Sequence, residues 1–243
     1  SPSCVIVKHN SPCGVGVGKN IENAYLKALA VDSLSAFGGV VALNKRCTTK
    51  LAKEMNKTFF EIIIAPSFDS GALKIFSKKK NLRVLCLKKY VSPDFSIKTI
   101  AGGSLGQGSD SSKLNKKNLV VPTKKKLTPN QLSTLLFAWK VVKHTKSNAI
   151  VVAKNNKIIS ISGGQTSRVD ATKIAFEKTK IPKGCVVASD AFFPFKDSIE
   201  TMAKYKIAAV VQPGGSVRDG EVIESCNNNK IAMAFTGFRV FKH

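Results

Sequence analysis

Lys8, His9 and Asn10 stand where the apolar run Cys4-Val5-Ile6-Val7 gives way to Ser11-Pro12-Cys13-Gly14. A fixed cation beside an imidazole, the one side-chain type that titrates unperturbed near neutrality, suits proton transfer next to a developing negative charge. Four apolar residues in a row read as a buried strand, and Asn-Ser-Pro-x-Gly is predicted to end it. The pair is thereby expected at the carboxyl end of a strand, where open α/β sheets bind ligands.

Three more loops concentrate unusual residues. Gly163-Gly164-Gln165-Thr166-Ser167-Arg168 falls between a strand and a helix, where backbone N–H groups and Arg168 could meet an anion. It is not a Walker loop, because the Gly-Lys-Ser/Thr ending is missing. Ser189 to Asp197 sets Phe192, Phe193 and Phe195 between carboxylates, which exposes apolar surface unless the rings pack or stack; core closure accounts for up to two of the three. Gln212-Pro213-Gly214-Gly215-Ser216 is a strand-to-helix turn in which Ser216 serves equally well as an N-cap. No nucleophile elbow with a Ser-His-Asp order is present.

The elements that would hold these loops alternate along the chain. Ile21, Ala24, Tyr25, Ala28 and Leu29 recur at helical spacing behind Asn20. Strands are predicted at Val40–Leu43, Ile62–Ala65 and Leu82–Leu87, with helices after Thr48-Thr49 and after Asp69. This βαβαβαβ order argues for a largely parallel sheet covered by helices. Residues 92–126 carry Gly102-Gly103, Gly106, Gly108 and a serine cluster without periodicity, and read as a functional loop or a crossover. Thr128-Pro129 is a strong helix start. Ala149–Ala153 and Ile158–Ile161 form a predicted hairpin across Asn155-Asn156. Strands near 185–188, 207–211 and 231–235 then alternate with helices near 167–180, 197–205 and 217–228. The architecture expected is two α/β halves, 1–91 and 128–243, joined by an irregular segment, 92–127.

Composition bounds the function classes. The 243 residues are 43% hydrophobic and 22% charged, an ordinary globular balance, and no apolar stretch reaches membrane-spanning length. Nothing resembles a signal peptide, and the chain, which does not begin with methionine, is expected to be processed or a fragment. Six scattered cysteines, several inside apolar runs, suggest buried thiols in a reducing, cytoplasmic setting. No C-x-x-C or H-x-E supports zinc. The net charge of +24 invites a nucleic-acid hypothesis. Five of the 39 basic residues are Arg, however, and the lysines are spread evenly, so neither base readout nor a clamp is indicated. A positive field also steers small anionic substrates.

The loops taken together carry a resemblance. Val5 to Gly14, Ser35-Ala36-Phe37-Gly38-Gly39, Ile62 to Pro66, Lys146-Ser147-Asn148-Ala149, Gly163 to Arg168, Ser189 to Phe195 and Gln212 to Ser216 resemble, in order, the AICAR transformylase domain of the bifunctional purine biosynthesis proteins. The likeness runs to Phe238-Arg239-Val240-Phe241-Lys242-His243. It implies two tandem cytidine-deaminase-like three-layer α/β/α subdomains without zinc. The implied reaction is formyl transfer from 10-formyltetrahydrofolate to the 5-amino group of AICAR, giving FAICAR and tetrahydrofolate. His9 would accept the amine proton, and Lys8 would stabilise the oxyanion or protonate the departing folate nitrogen, with the two roles exchangeable. Asn148 is implied to hold substrate and formyl group. Asn10, Phe37, Gly38, Glu61, Arg168, Phe192, Asp197, Arg239 and His243 are implied substrate contacts, and Thr145, Ser147 and Asp190 fall where some members bind potassium. A homodimer is implied, with some residues acting across its interface. The family's amino-terminal cyclohydrolase domain and the opening of the transformylase domain have no counterpart here. Two alternatives stand beside this reading: a basic nucleic-acid module, and a partial chain that serves only as a dimerisation partner.

Overall fold

The computed structural model describes residues 1–91 and 93–243. Strands β1 (Ser3–Lys8) and β2 (Ser11–Val17) open the chain as an antiparallel hairpin, followed by helices α1 (Ile21–Leu29) and α2 (Ser33–Ala36). Then come β3 (Gly39–Leu43), α3 (Thr49–Met55), β4 (Phe60–Ala65), α4 (Ser70–Phe76) and β5 (Arg83–Cys86). The sheet order is β2-β1-β3-β4-β5, with β1 antiparallel to both neighbours and β3, β4 and β5 mutually parallel.

The Ser-Pro-x-Gly stretch that is predicted to end the first strand opens a second one, Ser11–Val17. Pro12 is tolerated because β2 is the sheet edge, where a missing N–H breaks no ladder. Gly14 and Gly16 are there because α1 lies directly on β2: a Cβ at either would collide with the carbonyl of Ala28 or Ala24. The parallel reading fails at β1 for the same reason, since a hairpin reverses the chain before the first helix.

The linking segment holds a second hairpin that glycine-rich composition concealed, β6 (Phe95–Ile100) with β7 (Gly103–Gly108), exposed throughout. A 3-10 turn at Lys116–Asn118 follows, and Leu119 and Val121 then pack on the second half.

The second half contains α5 (Pro129–Val142), β8 (Ile150–Lys154), β9 (Lys157–Ser162), α6 (Arg168–Glu177), β10 (Val186–Ser189), α7 (Asp197–Lys204), β11 (Ala209–Gln212), α8 (Asp219–Asn228) and β12 (Ala232–Phe235). Its sheet runs β9-β8-β10-β11-β12, again a hairpin beside three parallel strands. The two halves therefore share one topology. Thr128 and Gln131 form a reciprocal capping box at the start of α5, as the Thr-Pro signal predicts. Alternation along the strands sends Val151, Ala153, Val186 and Val211 to α5 and sends Ile150, Val152, Val187 and Val210 to α6, α7 and α8. That makes three layers. The first half has α1, α3 and α4 on one face, while Val5 and Val15 on the other reach the core of the second half, with β2 alongside β9.

Five cysteines are buried, but Cys86 is exposed, contrary to its apolar surroundings in sequence. It lies on β5, an edge strand whose Leu85 is also exposed. Burial pushes the thiols of Cys4, Cys47, Cys185 and Cys226 upward, and that of Cys13 to about 11. The thiolate is the reactive form. Alkylation of the native protein at pH 8, followed by mass spectrometry, is expected to label Cys86 quickly and the other five slowly; rapid labelling of Cys13 or Cys47 would contradict the buried placement.

Candidate functional site

His9 and Asn10 are the two central residues of the β1–β2 turn, both with positive φ (50° and 61°), and Lys8 pairs with Ser11 across it. A two-residue hairpin turn of the primed type needs positive φ at both positions, which His and Asn adopt more readily than most residues. The turn lifts the imidazole clear of the sheet. Because β1 is antiparallel, Lys8 lies at the amino ends of β3 and β4, not beside parallel carboxyl ends.

Lys8 is then held from the side. Its Nζ donates to the carbonyl oxygens of Phe37 (2.9 Å) and Gly38 (3.0 Å). An ammonium has three donors, so one N–H remains. Gly38 has φ +66°, and a Cβ there would stand 2.8 Å from Lys8 Nζ. Only glycine satisfies both the backbone and the ammonium. The turn before it is fixed by Asp32, whose carboxylate accepts from Ser35 N (2.9 Å) and Ser35 Oγ (2.7 Å). From the second half, Lys178 Nζ reaches Asp32 at 2.7 Å. Burial pushes the Asp32 carboxyl up, but the bonds from Lys178 and Ser35 outweigh it and hold the group below the usual carboxylate range.

Lys8, His9, Ser35, Thr145, Gly163 and Lys178 line one cleft of about 190 Å³ between the halves. Cys13 also borders it, as a neutral thiol, so a cysteine nucleophile is not on offer. A larger hollow along α5, lined by Leu132, Leu136 and Phe137, contains none of the candidate catalytic or substrate-binding residues.

Next to Thr145 and Gly163 in the chain fold lies a network around Asp190, which is fully buried. Asp190 accepts from Arg168 Nη1, from Ala149 N (2.9 Å) and from the Ser147 hydroxyl. Arg168 Nη2 donates to Asn148 Oδ1 at 2.6 Å, and Asn148 Nδ2 donates to the carbonyls of Gln165 (2.9 Å) and Thr166 (3.2 Å). Every polar atom of the Asn148 amide is thus oriented. The carboxyl tail joins the network, since Ser147 N donates to Lys242 O (2.9 Å) and Val240 N to Asp190 O (3.0 Å). The Gly163–Ser167, Asp190 and Phe238–Lys242 segments follow β9, β10 and β12, while Ser147 and Asn148 lead into β8.

The sequence of this chain matches the family model described as the AICARFT/IMPCHase bienzyme over residues 1–178. The chain belongs to this family. It is 51% identical over 244 residues to the bifunctional purine biosynthesis protein PurH of Aquifex aeolicus, covering 99% of this chain and 48% of that protein. The PurH of Acetivibrio thermocellus is 51% identical over 247 residues, with coverage of 100% and 48%. The chain thus spans about half the length of the curated relatives it matches. Among solved structures, a dCMP deaminase from cyanophage S-TIM5 overlaps 35% of this chain and 79% of its own, at 13% identity and TM-score 0.30.

Several residues implied by the family likeness are placed differently from expectation. Arg168 is 6% exposed; Nη1 is engaged by Asp190 and Nη2 by Asn148, so it orients Asn148, while its Nε has no partner. The start of α6 is capped by Ser167, which accepts from Asp170 N, and an acidic Asp170 sits in the first turn, which disfavours an anion there. Of the three loop phenylalanines only Phe193 is buried, while Phe192 and Phe195 are 38% and 49% exposed, with Arg218 over the Phe195 ring. Ser216 does not cap α8; its hydroxyl accepts from Arg218 N instead.

Phe37 is exposed beside Phe59, and Glu61 stands one strand away on β4, facing Arg83. Asp197 opens α7, and Arg239 stacks on Phe241, whose other neighbour is His243. Of the oxygens implied for potassium, Ser147 Oγ and Asp190 Oδ2 are adjacent, whereas Thr145 Oγ1 donates to Val141 O in α5. Asp32 and Lys178 had no sequence signal pointing to the site, because their partnership spans 146 residues.

Proposed function

We propose that this chain carries a formyl-transfer step of purine biosynthesis: transfer of the formyl group of 10-formyltetrahydrofolate to the 5-amino group of AICAR, giving FAICAR and tetrahydrofolate. The observation that supports it most is the positioning of Lys8 by two backbone carbonyls, beside His9, at the mouth of a cleft shared by both halves.

The AICAR amine is conjugated to an imidazole carboxamide and is a weak nucleophile. His9 accepts its proton as nitrogen attacks the formyl carbon, and the remaining Lys8 N–H donates to the oxyanion that forms. Collapse breaks the bond from the formyl carbon to the folate nitrogen, which takes up a proton from the same pair of residues. Asn148, held on both sides of its amide, orients the substrate and the formyl group. Phe37 and Phe192 offer exposed ring faces to the flat heterocycles. On this reading Glu61, Asp197, Asn10, Arg239 and His243 are further substrate contacts. Hard oxygen donors suit potassium, and Ser147 and Asp190 would hold it; its charge would stiffen the loop before Asn148. The active form is a homodimer, and the setting is cytoplasmic.

The test is direct. This chain, incubated with AICAR and 10-formyltetrahydrofolate, is expected to produce tetrahydrofolate, and AICAR is expected to raise its melting temperature. No turnover and no thermal shift by either ligand would refute the reading. Salt-sensitive duplex binding with no folate response would favour a nucleic-acid role instead.

A further inference from the structure

The two halves share one topology, but among the described residues only the second has helices on both faces of its sheet. There α5 leads into the hairpin and packs along β8, β10 and β11. Beneath it Val151, Ala153, Val186, Ala188, Ala209 and Val211 are at most 2% exposed. In the first half α1, α3 and α4 take the places of α6, α7 and α8, and the place of α5 has no occupant among the described residues. Register puts Val5, Ala42, Ile64 and Leu85 in one row across β1, β3, β4 and β5, and Val7, Val40, Ile62 and Arg83 in the next. Both rows turn away from α1, α3 and α4, because Cys4, Ile6, Val41 and Ile63, one residue out of step, fill the core beneath those helices. Val7, Val40, Ala42, Ile62 and Ile64 are half-buried and, among the described residues, join none of the three cores, and Leu85 is 48% exposed. An aliphatic face of this kind is what a helix covers in layered α/β domains.

We propose that this open face seats an acidic amphipathic helix outside the 243 residues, the counterpart of α5, carried on polypeptide that leads into β1 as α5 leads into β8. The internal repeat names the occupant. Residues 143–149 return the chain from α5 to the hairpin of the second half, and a connection of the same kind ahead of β1 reaches the same place on the first sheet. The 14 residues of α5 span about 21 Å, and the six residues of β1 about 20 Å, so a helix of that length covers the strand rows from end to end. The same face runs on into the hollow of about 600 Å³ along α5, where Val17, on the Val15 side of β2, meets Leu132, Leu136 and Phe137. Those half-buried side chains give the helix a second apolar wall. Its charge follows from the surroundings: Lys116 and Lys140 line the hollow, Arg83 ends one row, and the chain carries +24, so acidic residues on the flanks of the helix are favoured. The chain covers 48% of the Aquifex aeolicus PurH, which leaves that protein ample polypeptide for such a segment.

The experiment compares the chain alone with the chain extended ahead of Ser1 by the stretch of the Aquifex aeolicus PurH that leads into the matched region, using melting temperature and the fluorescence of the apolar dye ANS. The extension is expected to raise the melting temperature by about 5–10 °C and to lower dye fluorescence severalfold, because the face leaves solvent. Leu85→Lys and Ile64→Lys put an ammonium on the face, which open solvent accepts and a seated helix does not. Each variant is measured with and without the extension, and each is expected to lose most of the gain that the extension gives the wild type. No gain in the wild type, or a gain that survives both substitutions, overturns the proposal. A dimer of the unextended chain that Ile64→Lys dissociates, with dye fluorescence indifferent to the extension, would assign the face to a second copy and overturns it as well. Neither readout needs a substrate, so an absence of formyl transfer would leave this test standing, and failure here would leave the formyl-transfer reading untouched.

Discussion

Replacing His9 with asparagine is expected to lower kcat for formyl transfer by about 10²–10⁴-fold, and Lys8→Met by about 10²–10³-fold, with the fold intact. Asparagine is the informative substitute because it accepts the positive φ of His9 with little strain, as Asn10 next to it does, yet cannot take up a proton at neutral pH. A loss in His9→Asn therefore reports the missing base and not a collapsed hairpin. Lys8→Met keeps the aliphatic stem and removes the ammonium, which frees the carbonyls of Phe37 and Gly38 at the cleft, where water can reach them. Tetrahydrofolate formation and a melting curve on each variant separate chemistry from folding. Wild-type kcat in His9→Asn would remove the imidazole from the mechanism.

Arg168→Met is expected to destabilise the chain by about 3–5 kcal/mol, the largest stability effect at the site. Methionine fills similar space but leaves the Asp190 carboxylate fully buried with only Ala149 N and the Ser147 hydroxyl as donors. An unpaired buried charge costs far more than the pair contributes, since both ions have already lost their hydration. The prediction includes its own control: Asp190→Asn added to Arg168→Met removes the charge, keeps a side chain that can accept from Ala149 N, and is expected to recover more than half of the loss. Urea midpoints on the single and double variants measure this. A single variant within about 1 kcal/mol of wild type would show that the carboxylate does not depend on Arg168.

Local signals carried much of this protein. The Thr128-Pro129 helix start, the Asn155-Asn156 turn with both φ positive, the helix behind Asn20 and the strand cores at Ile62–Ala65 and Ala149–Ala153 were legible because caps, turns and periodicity are settled within a few residues. The loops that gather at the cleft were legible for the same reason, each being a break between two such patterns.

What local spacing does not encode is which strand lies beside which, or which charge meets which. That Pro12 is harmless on an edge, that β1 runs antiparallel to β3, and that Phe193 turns inward while Phe192 does not are outcomes of sheet order and packing. Arg168 looked like an anion clamp because its sequence neighbours are glycines and hydroxyls; burial beside Asp190, 22 residues on, made it a brace for Asn148. The sequence by itself determined most of the elements, though not β2 or the β6–β7 hairpin, and the family and the residue types at Lys8 and His9. Tertiary structure alone decided how that pair is held, through the Gly38 cradle and the Asp32–Lys178 bond, because hydrogen bonds between residues far apart in the chain exist only once the core has brought them together.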